Sequence, residues 1–222
     1  MVVEDLIEGR GIMKRMTMVV VLVVAILGSL ATTASTQNER QYLIVGGVGY
    51  ASLSDLTITA LNGQPRDSAN PTPNGSIAIG AGAYYLAMPQ VAVGAEVSWL
   101  DFGTQKYEHS DDSYSAIPVT AQALYMIPTN SMVTPFATGG LGLYHLINTE
   151  KGQSTIDSSS DVFGFNVGGG VKFDTGTILD FGVDVRFHLG MNPNLKGDTA
   201  TGERSLETSD WKMLTVMGRV FF

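Results

Sequence analysis

Six charges stand alone among small or apolar neighbours: Glu96, Lys172, Asp180, Asp184, Arg186 and Arg219. Each lies in a run whose alternate residues are apolar, so in an extended chain all six project from the less greasy side, together with the amides of Gln122 and Asn166. Charges taken out of water must pair, because an unpartnered one costs several kcal/mol. Lys172 is expected to meet Asp180, with Arg219 close to Asp180 on the next strand, while Glu96 and Asp184 lie further in with Arg186 above them. The chemistry this set offers is ion pairing that fills and locks an enclosed space. A gate or narrow polar conduit is its second use.

The remaining candidates have simpler readings. The segment YEHSDD at 107–112 carries oxygen and imidazole ligands of the kind hard cations take. Consecutive acids in a polar connection are ordinarily a solvated face, so no metal is assigned. His145 is followed by Leu146 and Ile147, and His188 by Leu189 and Gly190, so neither has a serine beside it on its own strand face. A Ser–His–acid centre would need a cross-strand partner. His109 forms no HExxH-type pair with either. The runs Gly46-Gly47, Gly139-Gly140 and Gly168-Gly169-Gly170 lead to no Gly-Lys-Ser/Thr and open no helix, so their role is steric, easing strong strand curvature. Cysteine is absent, which removes disulfides, thiolate metal sites and thiol nucleophiles. No catalytic residue and no cofactor is assigned.

The elements that position these charges are strands. Across 161–190, DVFGFNVGGGVKFDTGTILDFGVDVRFHLG, Phe163, Phe165, Val167, Val171 and Phe173 fall on one side. In the second half Phe181, Val183, Val185 and Phe187 do the same, while Asp180, Asp184, Arg186 and His188 share the opposite face. Only a strand alternates with period two. The connection at 174–178 reads as a hairpin, which puts Lys172 opposite Asp180, Asn166 opposite Arg186 and Phe165 opposite Phe187. The polar face is mostly glycine with single charges, which suits a narrow interior. The unbroken Phe/Val face suits a wall against lipid.

Eight such strands are expected, at 42–53, 76–86, 91–102, 114–127, 134–147, 162–173, 179–189 and 211–222. Short connections (87–90, 128–133, 174–178) alternate with longer polar ones (54–75, 104–113, 148–161, 190–210), so every long loop falls at one end of an antiparallel barrel. The fold class is therefore all-β: an eight-stranded antiparallel up-and-down transmembrane barrel. The fifth strand is blurred by glycine; Leu141 and Leu143 are placed outward, Phe136 and Tyr144 inward. Tyr42, Tyr50, Tyr85, Trp99, Tyr125, Trp211 and Phe222 are expected to form aromatic girdles at the lipid–water boundary. A soluble lipocalin-like barrel is the alternative and would turn the Phe163 to Phe173 face inward.

With 44% hydrophobic and 15% charged residues, the 222-residue chain is poor in charge for one domain. Its net charge of −8 and pI near 4.7 exclude a polyanion such as nucleic acid as partner. Lys14 and Arg15 precede an apolar run from Met16 to Leu30, and Ala31-Thr32-Thr33-Ala34 follows: a secretory signal peptide over 1–34, ahead of a barrel domain over 35–222. Glu4, Asp5 and Glu8 do not suit a signal's first region, which predicts that translation starts at Met13 or Met16. A precursor whose mass includes Met1 would refute that.

The last strand, WKMLTVMGRVFF, alternates to a closing Phe222, which resembles the assembly signal of bacterial outer-membrane barrels. FGFNVGGGVKF, PFATGGLGLY and FGVDVRFHLG resemble strands of the OmpA/OmpX/OmpW-like eight-stranded outer-membrane β-barrel family, over about 42–222. The resemblance implies export to the outer membrane, with lipids and the barrel assembly machinery as partners. It implies a non-enzymatic role in membrane integrity, and contact with an extracellular ligand or host surface through four long loops. A narrow channel or hydrophobic small-solute port is the second function it allows, and a lipid-modifying enzyme the third. No peptidoglycan-binding domain is expected after the barrel.

Overall fold

The computed structural model describes residues 41–54, 58–61, 64–69, 75–106, 111–151, 155–191, 194–199, 202–208 and 210–222. The expected leader and both alternative starts lie outside the described residues, as does 107–110. The strands are β1 (Tyr42–Ser54), β2 (Ile58–Leu61), β3 (Gln64–Ala69), β4 (Ser76–Met88), β5 (Val91–Lys106), β6 (Asp111–Met126), β7 (Val133–Lys151), β8 (Thr155–Phe173), β9 (Asp180–Gly190), β10 (Asn194–Thr199), β11 (Gly202–Thr208) and β12 (Trp211–Phe221). Eight of these form the barrel. They pair in the order β8-β7-β6-β5-β4-β1-β12-β9, every pair antiparallel, and the β8–β9 pairing closes the ring. Closure leaves no sheet edge unpaired within the wall, which is the condition for a sheet to cross hydrocarbon.

Alternation sets the faces as period two requires. Phe163, Phe165, Val167, Phe173, Phe181, Val183, Val185 and Phe187 are exposed on the outer surface, while Asp184, Arg186, Arg219 and Glu96 are buried inside. The lipocalin-like arrangement is therefore inverted relative to this chain. In the blurred strand Leu141 and Leu143 are outside, and Phe136 and Tyr144 inside.

The β8–β9 register differs from expectation by two residues. Lys172 lies opposite Gly182, Asn166 opposite His188 and Phe165 opposite Leu189. The turn is wider than the assumed hairpin because its side chains hold it open: the Asp180 carboxylate accepts from Thr175 N–H at 3.1 Å and the Thr175 hydroxyl donates to the Leu179 carbonyl. A slip of two keeps every residue on its face.

The strands also run longer than expected. β7 and β8 each span 19 residues, well past the ~9–11 that cross a membrane. The connections at 104–113 and 148–161 are therefore mostly strand, paired out to Lys106↔Asp111 and Lys151↔Thr155. A ladder needs only N–H and C=O groups, so it continues through Ser, Thr and Asp. Hairpins β2–β3 and β10–β11 join the same sheet, β11 to β2 and β10 to β8. A raised β-wall thus stands over part of the rim at the long-loop end.

The β4–β5 seam shifts register once, between Leu86 and Met88, and the β5–β6 seam is interrupted further. Between β5 and β6 the ladder is unbroken from Val91↔Tyr125 to Val97↔Val119, resumes at Leu100↔Ala116 and then shifts register before Thr104↔Ser113. Pro118, which has no N–H to donate, sits in the gap. Gly103 takes φ 80° at the shift, a left-handed conformation that a side chain would strain.

Candidate functional site

The lumen is divided into three tiers. At the short-turn end Leu43, Val45, Ala92, Leu124, Phe136 and Phe221 pack together, with the Phe136 and Phe221 rings edge to face at 5.9 Å. At the long-loop end Leu53, Leu100, Phe102, Tyr114, Leu146, Trp211 and Met213 form a second apolar tier. Its centre is Trp211, edge to face with Phe102 at 6.3 Å and with Tyr114 at 6.0 Å.

Between them lies a layer of paired charge. Glu96 on β5 receives Arg186 Nη1 at 3.0 Å and Tyr84 OH at 2.7 Å on one oxygen. Its other oxygen receives Arg219 Nη2 at 3.0 Å and Ser98 Oγ at 3.3 Å. Asp184 receives Arg186 Nε at 2.6 Å and Arg219 Nε at 3.1 Å. Two carboxylates and two guanidiniums therefore close a neutral ring that is almost wholly buried. Charge-assisted bonds of this kind are the strongest a side chain makes. Gly47 leaves room for the Arg219 stem: a Cβ there would stand 2.7 Å from Arg219 Cδ.

A neutral chain continues across the lumen. Gln122 Nε2 donates to Thr120 Oγ1 at 2.8 Å and to Asn166 Oδ1 at 3.1 Å, and Asn166 Nδ2 donates to Tyr144 OH at 3.5 Å. Tyr144 OH meets His188 Nδ1 at 3.2 Å, and His188 Nε2 meets Thr215 Oγ1 at 3.2 Å. Both His188 nitrogens are thus occupied by hydroxyls of Tyr and Thr. His145, outside, pairs with Asp161 at 2.7 Å.

The arrangement corrects the expected pairing. Arg219 does not approach Asp180 but joins the Glu96–Asp184–Arg186 ring, because it pairs across β9 with Gly182, one inward position closer to Asp184 than Asp180's own partner Phe221. Lys172 and Asp180 form a separate pair at 2.7 Å near the short turns. They meet diagonally, since Gly182 opposite Lys172 has no side chain to intervene. Trp211 is not a girdle residue: it faces inward and is fully buried, whereas Tyr42, Tyr50, Tyr85, Tyr125 and Phe222 are exposed on the outer surface. Phe222 exchanges backbone bonds with Ile44 at the β1–β12 closure. Tyr84, Tyr144 and Thr215 were not anticipated as members of the polar layer. The only sequence signal for them was their inward parity, which Gly80, Gly82 and Gly142 dilute on the first two strands.

Residues 20–211 match the family described as outer membrane protein beta-barrel domain. The chain belongs to that family. As an outer-membrane β-barrel it is a bacterial outer-membrane protein, and its Phe/Val face is the outward one. Its fold is similar to Neisserial surface protein A (14% identity, 83% of this chain and 98% of that one, TM-score 0.55). It is similar also to the outer membrane protein OprG from Pseudomonas aeruginosa (15% identity, 83% and 97%, TM-score 0.54). No curated protein sequence matches it. Within the family's barrel architecture, the interior of eight strands is just wide enough for side chains to fill, which is what the three tiers do here.

Proposed function

We propose that this barrel is a non-enzymatic wall protein that strengthens the outer membrane and holds its raised extracellular sheet out for contact with a ligand or another surface. The observation that supports this is the sealed lumen: a neutral ring of paired charges between two apolar tiers. An ion entering from either end would have to shed water against side chains that cannot replace it. In planar bilayers the purified protein is expected to give no open-channel steps. Trimming β2–β3 and β10–β11 is expected to abolish surface binding while the barrel keeps its heat-dependent gel mobility. Reproducible conductance steps, or binding unchanged by the trimming, would overturn the reading.

A second reading, a port for small apolar solutes, is favoured by the β5–β6 seam at Pro118. A wall with missing rungs separates there at lower cost than at the other seams. On this reading proteoliposomes take up an apolar dye, and Pro118→Thr, which restores an N–H, slows uptake several-fold. Equal uptake by both variants would remove it.

A further inference from the structure

We propose that the long-loop mouth of the lumen binds a divalent cation, of the calcium class, through oxygens of Asp112, Asn148 and Glu150. Asp112 on β6 lies directly opposite Glu150 on β7, and the next inward pair is Tyr114 opposite Asn148. Tyr114 and Asn148 are buried inside, so Asp112 and Glu150, two residues along each strand, share that inward face. Directly opposed side chains have Cβ atoms about 4.5–5.5 Å apart, near enough for both carboxylates to reach one ion. The same-face neighbour along the strand is about 7 Å away.

The second observation is independent of the acids. Asn148 is 5% exposed, yet its Oδ1 has no hydrogen-bond donor. A buried carbonyl oxygen with no donor, beneath two facing carboxylates, is a set that a cation satisfies at once. Hard cations take carboxylate and amide oxygens at about 2.3–2.6 Å and complete their shell with water. Asp112 and Glu150 also make interactions of their own. Each carboxylate has about four acceptor positions, so those interactions leave lone pairs for a metal. Among the described residues no three His, Cys, Asp or Glu side chains converge on a metal-sized space. The third oxygen here is a neutral amide.

The test is calorimetric titration of the folded full-length protein in detergent micelles with calcium chloride, repeated on Glu150→Gln and Asn148→Ala. The expected result is one saturable site with Kd of about 10⁻⁴–10⁻³ M, weakened roughly tenfold by Glu150→Gln and measurably by Asn148→Ala. Heat-dependent gel mobility checks that each variant is folded. Absence of saturable binding to the wild-type protein, or the same affinity in both variants, would overturn the proposal.

Discussion

Glu96→Gln is expected to destabilise the folded barrel by about 3–5 kcal/mol, the cost of leaving a buried counter-charge unmatched. Glu96 is the one carboxylate that reaches across the lumen from β5 to Arg186 on β9 and Arg219 on β12. Without it, Asp184 alone must balance two guanidiniums; of Arg186 Nη1 and Arg219 Nη2, one keeps only a neutral amide oxygen and the other faces an NH2 donor. Tyr84 OH and Ser98 Oγ lose a charged acceptor at the same time. The stabilities are read from urea unfolding in lipid, followed by tryptophan fluorescence. The double variant Glu96→Gln with Arg186→Met is expected to recover much of the loss, because one carboxylate and one guanidinium then remain. If Glu96→Gln unfolds within about 1 kcal/mol of wild type, the ring is not a closed, water-free unit.

One residue from that ring, the opposite change is expected to be nearly as costly. Val185→Arg should destabilise the barrel by about 2–4 kcal/mol, the depth-dependent cost of a cation at the bilayer midplane. Val185 is 45% exposed on the outer surface, central in the row Phe181, Val183, Val185, Phe187, and lies between Val216 on β12 and Gly169 on β8. Neither neighbour offers an anion. The same urea measurement with Val185→Leu as control should show little change, since the larger side chain meets lipid. A Val185→Arg barrel as stable as wild type would mean this row does not sit in hydrocarbon.

Val185 and its neighbours Asp184 and Arg186 on β9 show how much could be read directly. Alternation is local: Val183, Val185 and Phe187 against Asp184 and Arg186 needs no partner strand to be seen, and it places each residue on its face whatever the register. The eight barrel strands and the sorting of long connections to one end were legible for the same reason. Turn composition and apolar runs are properties of neighbouring residues, and antiparallel order turns them into opposite ends.

What the chain could not show in one dimension is who meets whom. A two-residue slip leaves the β8 and β9 patterns identical, so Lys172 and Asp180 were assigned to the right company on the wrong rung. Arg219 was assigned to the wrong carboxylate, because β12 brings it level with Gly182 and so within reach of Asp184. Trp211 looked like a boundary aromatic until closure put Phe102 and Tyr114 around it. The polar segments around 104–113 and 148–161 looked like loops, but a ladder propagates through any residue that has a backbone N–H, whatever its side chain. By itself the sequence determined the number of barrel strands, the face of most of their residues and the end at which each connection lies, because period two is carried by neighbouring residues alone. Only the closed barrel decided partnership, because the stagger between strands and the distance across the lumen exist only once all eight strands are joined.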